Sequence, residues 1–538
     1  MTVAEAIVAE ARERGVRHFF GIPGSGAPLD MIEAGRKSGV AFVNVSHESS
    51  AAIAAAYNGS LRHTAGLAMT IRGVGAANLA GGIANVHFER MPVVAVCEVA
   101  PSSMAGREGT QQCNQTALFD GIAKYQSVLS AATARSSIRL AFSRAQEGRP
   151  GPALLHIPSD LGGQPLAEQA SETNPAPAVA PDPAALAKLK DLLGSKRRPV
   201  IIAGADVVRA GACAELMSLV ETIGAAVLVT MDARGVFPES HPRWAGVFVG
   251  VFNPNVIESR VLRDADLVLL AGADAVMTHS AWKSPVPACE LSARPEYSIL
   301  SDAPLLRVNG DLKASLVALS LAPQPGFSPE EVRACRKEIL QYFKRPPQAR
   351  FAAQDIIEVT REILPQDGIL ISETGVFICM LEHLWPVERP GTFFGTSGGR
   401  TMGLMIPAVL GAGLSECGRP MIGLGADGST LMRLGELEVF ARAKLAAPLV
   451  VINDRALGTM KSRQRSRGLP DYGLDLHDVD LAAAARACGL LGVTVDTPEA
   501  FRRELHLAMK AGRTTLIDAR VDPGPYQDSF GPTIGVLS

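Results

Sequence analysis

Short apolar runs rich in β-branched residues alternate along the chain with longer stretches rich in alanine and leucine. This alternation is typical of parallel β-sheets wrapped by α-helices. A helix is predicted to begin after Thr2, because Thr2 and Glu5 have the spacing of a capping box. The strands predicted in the first third are Phe42-Val43-Asn44-Val45, Leu67-Ala68-Met69-Thr70-Ile71, Val93-Val94-Ala95-Val96 and Leu154-Leu155-His156-Ile157.

The same pattern restarts twice, each time after a proline-bearing stretch, first at residues 164–183 and then at residues 323–347. Such stretches are typical of linkers. The later predicted strands are Val200-Ile201-Ile202-Ala203-Gly204, Ala226-Val227-Leu228-Val229, Leu267-Val268-Leu269-Leu270, Ile369-Leu370-Ile371, Met421-Ile422-Gly423-Leu424, Leu449-Val450-Val451-Ile452 and Leu516-Ile517-Asp518-Ala519. We therefore predict an α/β protein with three doubly wound domains of mainly parallel sheets, over residues 1–165, 183–322 and 350–538, with no sequence repeat among them.

Length and charge narrow the class of protein. The chain has 538 residues, which is too long for a single hydrophobic core. Its 52 basic and 54 acidic residues give a formal net charge of −2, so neither nucleic acid nor an anionic membrane is expected as a partner. No uncharged apolar run reaches the ~18 residues that a membrane span needs. No signal peptide opens the sequence, and the eight cysteines form no C-x-x-C pair, so a cytoplasmic protein is expected.

Acidic residues follow two predicted strands of the last third. Asp427 comes after the strand that ends at Leu424, and Asp454 comes after the strand that ends at Ile452. Ligands of open α/β sheets bind beyond the carboxyl ends of strands, so neighbouring strands would bring the two aspartates together. Carboxylate oxygens suit Mg²⁺ or Ca²⁺, and the backbone N–H groups of Gly428 and Ser429 at a helix start suit a phosphate. Taken alone, an Asp-Gly-Ser turn is more often ordinary loop chemistry.

A glutamate stands at a predicted strand-to-helix junction in the first third. Val45-Ser46-His47-Glu48 leads directly into an alanine-rich helical stretch that ends near Gly59. A lone glutamate at a helix N-terminus is usually only a partner of the helix dipole. The local pattern therefore leaves a structural and a catalytic role for Glu48 both open.

Residues 426–454 resemble the metal and diphosphate motif of thiamine-diphosphate enzymes, in which Gly-Asp-Gly is followed, after a hydrophobic strand, by Asn-Asn. Two positions depart from that motif, because Ala426 replaces its first glycine and Asp454 replaces its metal-binding asparagine. The resemblance implies thiamine diphosphate as cofactor and Mg²⁺ or another divalent cation. The metal ligands that it implies are Asp427, Asp454 and the main-chain carbonyl of Ala456. The cofactor contacts that it implies are Asp427, Asp454, Gly375, Gly428 and Ser429.

The segment around Glu48 resembles the His-Glu-x-x-Ala-x-x-x-Ala-x-Gly-Tyr-type segment of the acetolactate synthase, benzoylformate decarboxylase and pyruvate oxidase group. Residues 20–26, 73–79 and 151–158 resemble further segments of the same pyrimidine-binding domain. The resemblance implies that Glu48 hydrogen-bonds N1′ of the aminopyrimidine ring and so promotes removal of the thiazolium C2 proton. It also implies a homodimer or homotetramer in which Glu48 and the metal site of each active site come from different subunits.

Residues 397–403 resemble the turn beneath the thiazolium ring, where a bulky apolar residue bends the cofactor, and Met402 stands at that position. Further candidate residues lie in segments that face the substrate in this group. Each of them is equally consistent with an ordinary polar loop or with a solvated surface. These substrate candidates are Ser25, Gln112, Asn114, Arg400 and Arg463. The central third carries Gly272-Ala273-Asp274-Ala275-Val276-Met277-Thr278-His279 in place of an Arg-Phe-Asp-Asp-type segment, so FAD is not expected.

The family resemblance implies a 2-oxo acid decarboxylase or carboligase that forms or cleaves a carbon–carbon bond next to a carbonyl. A carbon–carbon hydrolase or an acyloin lyase is an alternative within the same family. A non-catalytic paralogue would be consistent with Ala426 and Asp454, but Glu48 argues against it. A nicotinamide-dependent oxidoreductase is disfavoured because no G-x-G-x-x-G follows a predicted strand.

Overall fold

The computed structural model describes residues 1–104, 107–167, 179–250, 259–278 and 282–522. Part of the first predicted linker, His279 and the end of the last predicted domain lie outside these residues. Within them, three six-stranded sheets follow one another along the chain, and every strand pairing is parallel. The predicted α/β class with three parallel sheets is therefore confirmed. No helix in the described ranges has the length and apolar character that crossing a membrane requires.

The first sheet has the strand order β2-β1-β3-β4-β6-β5. Its strands are β1 His18–Ile22, β2 Ala41–Asn44, β3 Gly66–Thr70, β4 Val93–Val99, β5 Tyr125–Val128 and β6 Pro152–Pro158. Its helices are α1 Val3–Glu13, α2 Ala27–Ser38, α3 Glu48–Leu61, α4 Val74–Phe88, α5 Gln115–Phe119 and α6 Ala134–Gln146. The capping box is confirmed, because Thr2 and Glu5 exchange hydrogen bonds at the start of α1.

The central sheet has the order β12-β11-β10-β7-β8-β9. Its strands are β7 Pro199–Ala203, β8 Ala226–Thr230, β9 Trp244–Phe248, β10 Leu267–Ala271, β11 Ala288–Ser292 and β12 Leu306–Asn309. Its helices are α7 Pro183–Ser195, α8 Ala205–Arg209, α9 Cys213–Ile223, α10 Ser259–Arg263, α11 Leu312–Ala318 and α12 Pro329–Gln341. Strands β7, β8 and β10 are buried at every position, which explains why they read as continuous apolar runs.

The third sheet has the order β14-β13-β15-β16-β18-β17, which repeats the topology of the first sheet. Its strands are β13 Ile369–Ser372, β14 Phe393–Phe394, β15 Met421–Ala426, β16 Pro448–Asn453, β17 Leu491–Val495 and β18 Thr515–Arg520. Its helices are α13 Ala353–Ile363, α14 Ile378–Leu384, α15 Met405–Gly413, α16 Asp427–Leu431, α17 Glu436–Arg442, α18 Gly458–Ser466, α19 Leu481–Ala487 and α20 Pro498–Lys510.

Helix α3 joins the first and third units. Every residue from Glu48 to Gly59 is buried, and the helix packs closely against α15. The Asn58 side-chain amide donates to the Gly411 carbonyl at 3.0 Å. A Cβ on Gly411 would lie 2.0 Å from the carbonyl oxygen of Ala54, so this close approach requires glycine. The contact fixes the helix that begins with Glu48 against the unit that carries Asp427.

Candidate active site

A cavity of about 270 Å³ opens at the carboxyl ends of β15 and β16. It is the place where the two predicted aspartates meet, because Asp427 begins α16 and Asp454 follows β16. Eight sequence-predicted residues line this one cavity: Gly375, Arg400, Met402, Asp427, Gly428, Ser429, Asp454 and Ala456. The structure thus brings together residues that lie on four separate segments of the sequence.

Asp427 is held from two sides by backbone. Its Oδ1 accepts from the N–H of Gly428 and its Oδ2 accepts from the N–H of Arg455, each at 2.7 Å. Its side chain is almost fully buried. Burial and, after it, the negative charge of Asp454 together raise the pKa of Asp427 to about 7. Two carboxylates that repel each other across a shared cavity provide the charge and the oxygen ligands that a divalent cation requires.

Asp454 is positioned by the turn after β16. Its Oδ1 accepts from the N–H of Ala456 at 3.1 Å. A Cβ on Gly458 would lie 2.4 Å from the Asp454 Oδ2. Any residue larger than glycine at this position would therefore displace the Asp454 carboxylate. Among the described residues, no group of three or more His, Cys, Asp and Glu side chains is arranged to hold a metal. A cation at this site would therefore depend on the two carboxylates together with backbone or cofactor oxygens.

Beside the two aspartates, apolar side chains form part of the cavity wall and pack closely against Gly428. A Cβ on Gly428 would lie 3.1 Å from the Leu457 side chain and 3.5 Å from the Met402 Cε. Met402 therefore reaches the first turn of α16, where Gly428 and Ser429 lie. A diphosphate needs exposed backbone N–H groups, and a thiazolium ring needs an apolar support, so these residues fit the two ends of thiamine diphosphate.

Glu373 lies beneath the cavity and was not predicted from the sequence. It follows β13 and is fully buried, with Oε2 accepting from the N–H groups of Leu404 and Met405 and Oε1 accepting from that of Ala426. Burial raises the pKa of Glu373 to about 7. The signal was available, because Glu373 follows a predicted strand in the same way as Asp427 does.

Glu89, at the end of α4, anchors the loop that leads to Arg400 and Met402. Its buried carboxylate accepts from the hydroxyl of Thr396 at 3.1 Å, from the N–H of Ser397 at 3.0 Å and from the N–H of Gly399 at 2.9 Å. Burial raises the pKa of Glu89, and these hydrogen bonds oppose that rise. Arg400 directly after them has φ of +41°, which is unusual for a residue other than glycine. The anchor therefore holds a strained backbone segment in the cavity wall.

Glu48 stands apart from this cavity within the chain. It is the first residue of α3, and its Oε2 accepts from the Asn78 side-chain amide at 3.0 Å. Its Oε1 lies so close to Gly75 that a Cβ there would be 3.3 Å away. The motif residues around 73–79 therefore pack against Glu48, whereas Glu48 is not among the residues that line the cavity at Asp427.

The remaining substrate candidates are spread over three places. Gln112 and Asn114 line a second cavity of about 240 Å³ beside β4 and β6. Ser25 is exposed in the loop after β1, and Arg463 lies on α18. Neither Ser25 nor Arg463 lines either of these two cavities. Of the five candidates, only Arg400 shares the cavity of Asp427 and Asp454.

Three segments of the chain match the domains of one enzyme family in order. Residues 1–118 match the thiamine pyrophosphate enzyme N-terminal TPP binding domain, residues 186–319 match its central domain and residues 373–519 match its C-terminal TPP binding domain. The chain belongs to the thiamine pyrophosphate enzyme family. The C-terminal match contains the cavity at Asp427, and the N-terminal match contains Glu48. The family resemblance predicted from the sequence motifs is confirmed.

Relatives of this thiamine pyrophosphate enzyme are similar over nearly their whole length. A probable acetolactate synthase large subunit of Methanocaldococcus jannaschii is 26% identical, over 97% of this chain and 92% of the relative. A sulfoacetaldehyde acetyltransferase of Castellaniella defragrans is 27% identical, over 96% of this chain and 93% of the relative. The crystal structure of benzoylformate decarboxylase from Polynucleobacter necessarius superimposes with a TM-score of 0.84 at 19% identity, over 97% of this chain and 99% of that one. That similarity shows a shared fold.

Proposed function

We propose that this enzyme uses thiamine diphosphate, held through Mg²⁺ or another divalent cation, to decarboxylate a 2-oxo acid or to join the resulting fragment to a second carbonyl compound. The observation that carries the proposal is the shared cavity that Asp427 and Asp454 line together with Gly428, Ser429 and Met402. Charge, oxygen ligands and an apolar wall occur there together, as the cofactor and its metal require. FAD forms no part of the proposal.

The residues of the chain would hold the cofactor at its two ends. Asp427, Asp454 and the carbonyl of Ala456 would bind the metal, and Gly428 and Ser429 would contact the diphosphate. Met402 would support the bent cofactor, and Gly375 of the same cavity lining would contact it. When bound, thiamine diphosphate supplies the electron sink that permits loss of carbon dioxide from a 2-oxo acid.

Glu48 would act on the cofactor from a second subunit. Its carboxyl group would hydrogen-bond N1′ of the aminopyrimidine ring, and Asn78 would keep that carboxyl oriented through the 3.0 Å hydrogen bond. Because Glu48 does not line the cavity at Asp427 in its own chain, the proposal requires at least a homodimer with active sites between subunits. A homotetramer would contain the same pairs.

Arg400 would select a substrate or acceptor with a second anionic or strongly polar group. It is the one substrate candidate in the cavity at Asp427, and its guanidinium group is suited to bind a carboxylate or a sulfonate. The sulfoacetaldehyde acetyltransferase relative shows by its name that family members act on an anionic aldehyde. Gln112 and Asn114 would contact the other end of a substrate only if their cavity faces the active site in the dimer.

A panel of 2-oxo acids and acyloins tests the proposal, with products identified by mass spectrometry. Carbon dioxide release or a new carbon–carbon bond, dependent on added thiamine diphosphate and Mg²⁺, is the expected result. Acidic substrates should be preferred over benzoylformate and branched aliphatic 2-oxo acids, and Arg400→Gln should reduce that preference. Cleavage of an acyloin or a 1,3-diketone without any reaction of 2-oxo acids would instead favour the lyase or hydrolase alternative.

A further inference from the structure

A further cavity, lined mainly by polar side chains, lies on the central unit. It is at the edge of the sheet where the strands begin, opposite to their carboxyl ends. It has a volume of about 470 Å³ and lies between the loop that precedes β9 and helix α12. This volume is within the range of small-molecule sites in proteins, roughly 300–1,000 Å³. Neither the cofactor motif nor the substrate candidates include any residue of this cavity.

The lining of this cavity carries only one sign of permanent charge. Arg333, Arg336 and Lys337 on α12 and Lys344 just beyond it contribute four cations, and no aspartate or glutamate lines the space. Among the described residues, neither Lys337 nor Lys344 forms an ion pair. Four cations placed in one concave space repel one another, so an anion that enters the cavity relieves that repulsion.

Arg336 is the least exposed of the four cations, and no carboxylate of the described residues forms an ion pair with it. Its guanidinium group lies 4.1 Å from the ring centre of Trp244 and donates to the main-chain carbonyl of Glu239 at 3.4 Å. The nearest carboxylates are already engaged, because Glu239 pairs with Arg234 at 2.6 Å and Glu388 accepts from the hydroxyl and the N–H of Ser240. Burial lowers the pKa of Arg336, and the negative charges of Glu239 and Glu388 oppose that lowering.

Trp244 provides an independent observation at the same place. It lines the cavity and is only 1% exposed, yet its indole N–H is buried without a hydrogen-bond partner in the described part of the chain. Unpaired buried donors are uncommon and costly. Ser240 and Gln341 add neutral polar groups to the same lining.

We propose that this cavity binds a phosphate-bearing small molecule. A chain of phosphates presents several anionic oxygens at once, which matches four cations better than a single carboxylate does, and arginine binds phosphate through paired hydrogen bonds. The phosphates could belong to a nucleoside polyphosphate or to an inorganic polyphosphate, which share the chemistry recognised here. The proposal does not depend on the reaction at the cofactor cavity.

Calorimetric titration of the holoenzyme tests this site. The protein is saturated with thiamine diphosphate and Mg²⁺, so that the cofactor cavity cannot take the probe, and inorganic triphosphate is added. One binding event per chain is expected. The variant Arg333→Ala/Lys337→Ala/Lys344→Ala removes three exposed side chains and should weaken binding by about tenfold or more, which corresponds to about 1.4 kcal/mol.

A matched variant separates this site from general charge attraction. Lys188→Ala/Lys190→Ala/Lys510→Ala removes the same charge from exposed positions on α7 and α20 and should leave the affinity unchanged. Equal weakening in both variants, or no saturable binding to the wild type, would overturn the proposal. A loss of oligomeric state in the first variant with triphosphate affinity retained would also overturn it, since the cavity would then be a contact between copies. ATP is titrated in parallel, and tighter binding than triphosphate identifies a nucleotide as the ligand, whereas equal binding identifies the phosphate chain alone.

Discussion

The third and the central sheet each place two aspartates after neighbouring strands, but the surroundings of the two aspartate pairs differ. In the third sheet, Asp427 and Asp454 follow β15 and β16 and share an open cavity. In the central sheet, Asp206 and Asp274 follow β7 and β10, which are also hydrogen-bonded neighbours. Asp274 is covered by two arginines that come from the first unit of the same chain, whereas Asp206 also pairs with Arg209 of the central unit at 2.7 Å.

The two aspartates of the central sheet are covered by closely packed arginine side chains. Arg149 lies 2.9 Å from Asp274 and 3.9 Å from Asp206, and its guanidinium group stacks at 3.8 Å on the ring of Tyr297. Arg90 adds a second contact to Asp274 at 2.9 Å. By contrast, no side-chain cation of the described residues forms an ion pair with Asp427. The carboxyl ends of neighbouring strands therefore carry a domain clamp in the central unit, whereas in the third unit they carry the metal site that we propose.

Removing Asp427 should have the largest effect, because this carboxylate is the proposed anchor of the metal that holds the diphosphate. Asp427→Ala is expected to abolish binding of thiamine diphosphate in the presence of Mg²⁺, measured by calorimetry. Asp206→Asn alters the equivalent position in the central unit and should leave the affinity for the cofactor unchanged. Unchanged binding in Asp427→Ala would show that the metal site has been assigned to the wrong residues.

Replacing Glu48 by Gln separates catalysis from cofactor binding. The amide keeps the shape of the side chain but cannot share a proton with N1′, so proton exchange at thiazolium C2 should slow by about 10²–10⁴. The affinity for the cofactor should fall only modestly, since the proposed metal and diphosphate contacts lie in the third unit. Exchange is followed by NMR in the wild type and the variant. Equal exchange rates would mean that Glu48 is only a helix-start carboxylate and that the chain is a non-catalytic cofactor-binding relative.

Breaking the central clamp should affect stability rather than cofactor affinity. Arg149→Met leaves the buried Asp274 with Arg90 as its one cationic partner among the described residues, and removal of one member of a buried ion pair typically costs about 3–5 kcal/mol. Denaturant unfolding, with hydrogen exchange of central-unit peptides, measures the change. Arg209→Met removes a more exposed partner of Asp206 and should cost about 1 kcal/mol or less. If both variants lose the same stability, the buried clamp contributes no more than a surface pair.

The anchor at Glu89 should influence turnover without carrying any chemistry. Glu89→Gln keeps the size of the side chain but leaves fewer acceptors for the donors of Thr396, Ser397 and Gly399, so the segment with Arg400 and Met402 loosens. We expect kcat to fall by about tenfold, since small misplacements of positioning groups are costly. The Kd for thiamine diphosphate should change little. Glu438→Gln on the exposed side of α17 is the control, and an unchanged kcat in Glu89→Gln would contradict the positioning role.

Sequence patterns predicted many of the buried strands, and the meeting of Asp427 and Asp454 at one sheet edge, because both signals are local. Strands β7, β8 and β10 are continuous apolar runs, and Asp427 directly follows such a run. Edge strands β14 and β17 were missed, because β14 has only two residues and β17 is mostly half-exposed with little apolar character. Strands β9 and β11 were missed as well, although every residue in them is buried. Glu89 was also missed, because its partner Thr396 lies 307 positions away in the sequence. No pattern in the residues around Glu89 indicates that contact. Only the folded chain reveals such long-range hydrogen bonds.

The smallest effect that we predict concerns the pH dependence of stability and compares Glu373 with an exposed glutamate. The pKa of Glu373 is raised from 4.5 to about 7 in the folded protein, so the folded state holds a proton that the unfolded state has released between these values. The free energy of unfolding should therefore fall as pH rises through this window, by up to about 1.4 kcal/mol per pH unit from this group. Glu373→Gln should remove that part of the slope, whereas Glu438→Gln should not. Urea unfolding of the cofactor-free protein between pH 5 and 8 measures both, and a pH-independent difference between wild type and Glu373→Gln would show that Glu373 is ionised throughout.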